Sequence, residues 1–101
     1  GVFDAIVKAC ETVDSCAQAL IEYGQREGYS FIIIADHGNA DMAVNDDGSP
    51  NTAHSTNLVP IYLLDSEIKS VKEGKLADVA PTILNLLGLS TPDEFDGESL
   101  I

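Results

Sequence analysis

The stretch Phe31-Ile32-Ile33-Ile34-Ala35-Asp36-His37-Gly38-Asn39-Ala40-Asp41, followed after a polar turn by Thr52-Ala53-His54-Ser55, decides how the rest of the chain is read. Four large apolar residues stand in a row, three of them β-branched isoleucines, with no polar alternation. That pattern predicts a short strand buried on both faces of a parallel sheet. The run stops at Ala35, and a carboxylate and an imidazole, Asp36 and His37, come next. Ligands of open α/β sheets gather beyond the carboxyl ends of the strands, so a site is expected here. A second imidazole, His54, returns after the turn, and with it both histidines of the chain fall in one segment. Asp36, His37 and His54 together form a donor set suited to zinc, manganese or iron. Each has a plainer reading alone: Asp36 as a helix cap, either histidine as a surface group.

Outward from this segment, the pattern is that of an αβ unit. Ile6, Ala9, Cys10, Val13, Cys16, Ala17, Leu20 and Ile21 recur at intervals of three and four. They predict a helix over 3–23 that stops at Gly24 or Gly28. Residues 40–55 read as loop or hairpin with its tip at 45–50. The acidic tip invites a calcium reading, which fails on spacing. Placing Gly48 at the glycine of an EF-hand loop puts His54 at the twelfth position, where a Glu is required. Ile61–Leu64 is expected as a second strand, with Pro60 at its start or edge. Leu76, Val79, Ala80, Ile83, Leu84, Leu86 and Leu87 form another helical stripe. Asp78 is its expected N-cap, Pro81 falls in its first turn, and Gly88 is its expected C′ residue. Residues 65–75 and 89–101 read as connection and tail.

At 101 residues the chain is one domain at most, with 45% apolar and 22% charged residues, an ordinary globular composition. Its net charge is −12, and it has no Lys/Arg cluster, so nucleic acid and anionic membranes are excluded as expected partners. An anionic substrate is repelled too, unless bound cations or basic groups from elsewhere reverse the local field. Cys10 and Cys16 are six residues apart on one predicted helix, roughly 9 Å along its axis, too far to bridge. Both are expected to be small buried hydrophobes of a reducing compartment. No signal peptide or span-length apolar run is visible, and a cytoplasmic location is expected. Gly1-Val2-Phe3 opens without an initiator Met, which reads as a chain cut from something longer.

Two sets of residues carry a family resemblance. Ala35-Asp36-His37-Gly38-Asn39-Ala40-Asp41 with Thr52-Ala53-His54-Ser55-Thr56-Asn57-Leu58-Val59-Pro60 resembles the C-terminal part of the cofactor-independent phosphoglycerate mutases of the two-manganese type. Leu76-Ala77-Asp78-Val79-Ala80-Pro81-Thr82-Ile83-Leu84, with Gly88, Pro92 and Asp96-Gly97-Glu98-Ser99-Leu100, resembles a pattern shared across the alkaline phosphatase and sulfatase superfamily. Together they cover essentially the whole chain. Departures from the pattern are Asp41 for Glu, Ser55 for Thr, Leu58 for Pro and Phe95 for Met, none of them a candidate ligand.

The resemblance implies an α/β fold that is part of an alkaline-phosphatase-like three-layer sandwich, with a mainly parallel sheet flanked by helices. Residues 1–101 would be the C-terminal segment of the metal-binding, phosphatase-like domain, without its upstream strands or the substrate domain. The implied parent is an isomerase that interconverts 3-phosphoglycerate and 2-phosphoglycerate through a phosphoserine in glycolysis and gluconeogenesis. It uses two Mn2+ ions. By the same resemblance Asp36 and His37 hold one ion and His54 the other. The family's Gly-His-Thr-Gly motif, its nucleophilic serine and its basic substrate-binding residues lie outside this sequence. No catalytic residue is therefore assigned to the chain, and the chain alone is expected to be inactive. Phosphoglycerate is the implied partner of the parent, and self-association is the expectation for the isolated chain. Two alternatives stay open: another phosphatase or phosphomutase of the superfamily, and a non-enzymatic association module. Asn39 and the Asn57-x-Val59-Pro60 sequence favour the mutase.

Overall fold

The computed structural model describes residues 2–101. A long helix, α1 (Val2–Arg26), leads into strand β1 (Phe31–Ile34). A single 3-10 turn follows at Ala40–Met42, then strand β2 (Ile61–Leu64). A second 3-10 turn, Leu76–Asp78, runs directly into helix α2 (Val79–Leu86). Both helices end as their glycines predict. At α1, Tyr29 N–H donates to Gly24 O (2.8 Å) and Gly28 N–H to Gln25 O (3.2 Å), with Gly28 at φ +82°. At α2, Leu89 N–H donates to Leu84 O (2.8 Å) and Gly88 N–H to Asn85 O (3.0 Å), with Gly88 at φ +72°. These are Schellman caps, which need a residue that adopts the left-handed region without a Cβ penalty. Gly24, the other candidate stop, lies inside α1 for a different reason: a Cβ there would overlap the Phe31 ring.

Among the described residues the one strand pairing is antiparallel, unlike the parallel neighbour that the apolar run of β1 predicts. β1 and β2 pair antiparallel, with Phe31 opposite Leu64 and Ile34 opposite Ile61. A parallel neighbour needs a crossover that carries the chain back along the sheet, commonly a helix. Residues 38–55 instead fold on themselves as a hairpin, with antiparallel bridges between Gly38 and Ser55 and between Val44 and Pro50. The chain therefore re-enters the sheet at the end where it left. At the opposite end, the Ser30 hydroxyl donates to the Asp65 carboxylate, which also accepts from the Glu67 and Ile68 N–H groups.

Burial also departs from expectation. β1 is only half-buried, and Ile34 is exposed. An open groove of about 860 Å³ runs between the α1 face at Ala9, Val13 and Ile21 and the sheet face at Ile33 and Tyr62. Cys10 lines that groove, and both cysteines are free and exposed, not the buried pair expected. The radius of gyration is 16.6 Å, against about 13 Å for a compact chain of this length. Within the described residues the layers are therefore incompletely covered. No described helix is long and apolar enough to cross a membrane.

The tightest packing is at the C-terminal tail. Asp78 precedes α2 as predicted, but its carboxylate makes no capping bond to α2. It accepts from Lys75 N–H (2.8 Å) and from Glu98 N–H (2.9 Å), tying the tail to the 3-10 turn. The fully buried Thr82 hydroxyl donates to Asp78 O (2.7 Å) and accepts from Leu100 N–H (2.9 Å). Leu100 is itself buried. Hydrogen bonds from Glu98 N–H first and Lys75 N–H second hold the Asp78 carboxyl below the ordinary carboxylate range.

A depressed carboxyl stabilises the fold above its unfolded-state value, about pH 3.9, and loses that contribution as pH falls through the lower folded value. The protection factors of the Glu98 and Leu100 amides should therefore hold at neutral pH and fall below about pH 4. Tail protection that is unchanged down to pH 2 would show that the Asp78 carboxylate does not hold the tail.

Candidate metal centre

The hairpin geometry places both histidines at one end of the β1–β2 ribbon. His37 lies just beyond the end of β1, and His54 lies on the returning arm that leads to β2. Their rings stack with centroids 3.5 Å apart and planes within 16°. Asp36 Oδ1 is 3.5 Å from His37 Nε2. The Asp36 side chain is largely exposed, whereas His37 is half-buried. All three sequence-predicted ligands are thus brought to one end of the ribbon.

The His37 ring is oriented by its own backbone. Nδ1 is 3.1 Å from Gly38 O, and a carbonyl only accepts, so this bond requires the proton on Nδ1. In the neutral ring Nε2 then carries the lone pair, facing Asp36 Oδ1. A backbone carbonyl in this role is a common way to fix a metal-binding tautomer. Two ligand atoms bonded at roughly 2.1 Å to one tetrahedral ion lie roughly 3.4 Å apart. The Asp36–His37 pair, 3.5 Å apart, is close to that chord, so these two side chains fit one divalent ion. Among the described residues no group of three or more His, Cys, Asp and Glu side chains is disposed to hold a metal by itself. An ion held by Asp36 and His37 needs further donors.

The two arms are held in register by polar side chains. Ser55 N–H donates to Gly38 O (2.8 Å), and Asn39 Nδ2 donates to Ala53 O (3.2 Å). The Asp41 carboxylate accepts from Asn57 Nδ2 (2.7 Å) and lies 3.1 Å by either oxygen from Ser55 Oγ. The Asn57 amide above all, with the Ser55 hydroxyl, holds the Asp41 carboxyl below the ordinary range. Sequence reading assigned Asp41 no role. The available signal was spacing: Ser55 and Asn57 are two residues apart on the returning arm, near enough for one carboxylate to reach both. The tip beyond is a self-contained turn, where Asp47 accepts from Ser49 N–H (2.9 Å) and Gly48 has φ +83°.

Beside the site lies an open groove of about 700 Å³, lined by Asp36, His37, Ser55, Leu58, Lys75, Val79 and Leu100 among others. It runs from the end of the ribbon that carries Asp36 and His37 to the clamped tail at Leu100.

The metalloenzyme superfamily profile matches residues 1–91. Over its whole length the chain is 48% identical to a 2,3-bisphosphoglycerate-independent phosphoglycerate mutase of Flavobacterium johnsoniae. It is 51% identical to that of Bacteroides thetaiotaomicron and 57% identical to that of Salinibacter ruber. In each case all of this chain is matched, and it spans 20% of the relative's length. With the profile matching residues 1–91 of its 101, the chain belongs to the metalloenzyme superfamily.

Proposed function

We propose that this chain is the C-terminal segment of the metal-binding domain of a cofactor-independent phosphoglycerate mutase, and that it supplies part of a two-manganese site. The observation that carries the reading is the meeting of Asp36, His37 and His54 at one end of the ribbon. Similarity to the mutases along the full chain supports it. In this reading Asp36 and His37 hold one ion and His54 holds the other. Manganese held there would lower the pKa of a hydroxyl nucleophile, neutralise phosphoryl oxygens and offset the chain's own −12, which repels a phosphoglycerate.

The chain's residues have defined tasks in this scheme. The Gly38 carbonyl orients His37, so that Nε2 is the atom offered to the ion. Asp36 adds a carboxylate oxygen and a negative charge beside it. The nucleophilic serine, the remaining ligands and the basic substrate contacts come from other parts of the enzyme, so the isolated chain interconverts nothing. The groove between α1 and the sheet is where further layers of a three-layer, mainly parallel α/β sandwich would pack, with β1–β2 as its antiparallel part. Until they do, these apolar faces favour self-association of the isolated chain. The parent works in glycolysis and gluconeogenesis in the cytoplasm, with neither nucleic acid nor membrane as a partner.

Calorimetric titration of the 101-residue chain with Mn2+ tests the reading. The chain is expected to bind the ion, and Asp36→Ala and His54→Ala are each expected to weaken binding by about tenfold or more. Unchanged affinity in both variants would remove the ligand assignment. Conversion of 3-phosphoglycerate to 2-phosphoglycerate by the chain alone would remove the division of labour.

A further inference from the structure

We propose that Asp41 is a positioning residue for the two-histidine site, fixing the arm that carries His54 against the loop that carries His37. The purpose of this tie rests on the metal reading above; its geometry does not. Gly38 immediately follows His37, and Ser55 immediately follows His54. Those two residues form an isolated antiparallel bridge, with one backbone bond from Ser55 N–H to Gly38 O. An isolated bridge specifies register weakly, and a slip of one residue would turn His54 to the opposite face of its arm.

The Asp41 carboxylate supplies the missing specification. It lies on the 3-10 turn after Gly38 and meets two side chains on one face of the other arm, Ser55 and Asn57. A slip of one residue would withdraw both donors together. Gly38 leaves room for this contact: a Cβ there would collide with Ser55 Oγ and lie 2.8 Å from Asp41 Oδ1. Asp41 and Ser55 touch each other directly, with Ser55 Oγ 3.1 Å from either carboxylate oxygen. Because the Asp41 side chain and Asn57 are exposed, the tie acts mainly on local register and little on global stability.

The test has one readout independent of metal and one that depends on it. In the unmodified chain the stacked rings should give a strong nuclear Overhauser effect between His37 and His54 ring protons. In Asp41→Ala that effect should vanish while the far-UV circular dichroism is kept, and Mn2+ affinity should fall about tenfold. Asp41→Asn, which keeps one acceptor oxygen, should recover part of the ring-to-ring signal. If Asp41→Ala fails to fold, Ser55→Ala decides in its place, with the ring-to-ring signal expected to weaken. An undiminished signal in the folded variant would overturn the proposal. If Asp36→Ala and His54→Ala both leave Mn2+ affinity unchanged, the metal reading fails, and the ring-to-ring signal still decides whether Asp41 sets the register.

Discussion

Replacing Gly97 by Ala is expected to release the C-terminal tail, at a cost of about 3 kcal/mol. A Cβ at Gly97 would sit on the carbonyl group of Ala77 and 2.9 Å from Asp78 N. Both are backbone atoms of the turn that starts α2, so no side chain can rotate away to make room. The tail must lift instead. Lifting it breaks the bonds from Glu98 N–H to Asp78 Oδ1, from Leu100 N–H to Thr82 Oγ1 and from Lys72 N–H to Leu100 O. Amide protection at Glu98 and Leu100 should fall by about a hundredfold, the equivalent of that cost. Gly48→Ala is the control. Gly48 has φ +83° with nothing within 4 Å of a built Cβ, so the substitution costs only local strain of about 1 kcal/mol. Equal effects of the two substitutions would show that the close approach at Gly97 is not what seats the tail.

Thr82→Val should be the next most damaging change, at about 2 kcal/mol. Valine has nearly the same shape, so the loss comes from polarity alone. The Thr82 hydroxyl is fully buried and serves two partners, donating to Asp78 O and accepting from Leu100 N–H. Without it the Leu100 N–H is buried with no acceptor, and that desolvation is the main cost. Thr82→Ser keeps the hydroxyl and loses a methyl, for about 1 kcal/mol. Thermal melts of the two variants give the comparison. A serine variant less stable than the valine one would mean that packing, and not the hydrogen bonds, holds this corner together.

The two substitutions explain why the Leu76–Leu84 stretch and the Asp96–Leu100 stretch are read as one pattern in the sequence. Their contacts are structural: Asp78 and Thr82 receive the backbone of Glu98 and Leu100. The sequence marked Asp78 as important and placed it correctly before α2. Its task could not be read from position, because the partners that matter are twenty residues away at Glu98. A capping residue is recognised by local spacing, and a clamp is recognised only once the tail is in place.

What the sequence determined by itself is what local chemistry encodes. Periodicities of three and four gave both helices, and Gly28 and Gly88 ended them because only glycine enters the left-handed region freely. The isoleucine run gave β1, and the placing of both histidines in one segment singled out Asp36, His37 and His54 as candidates. The tertiary structure decided what depends on distant pairings. It made the ribbon antiparallel because the 38–55 hairpin returns the chain to the end it left. It left Cys10 and Cys16 exposed because the groove beside α1 is open. It stacked His37 on His54 and set Asp41 against Ser55 and Asn57, contacts between arms more than a dozen residues apart. Helix stripes and caps are set by neighbours within one or two turns, whereas strand direction, burial and the meeting of the two histidines are set by how loops close.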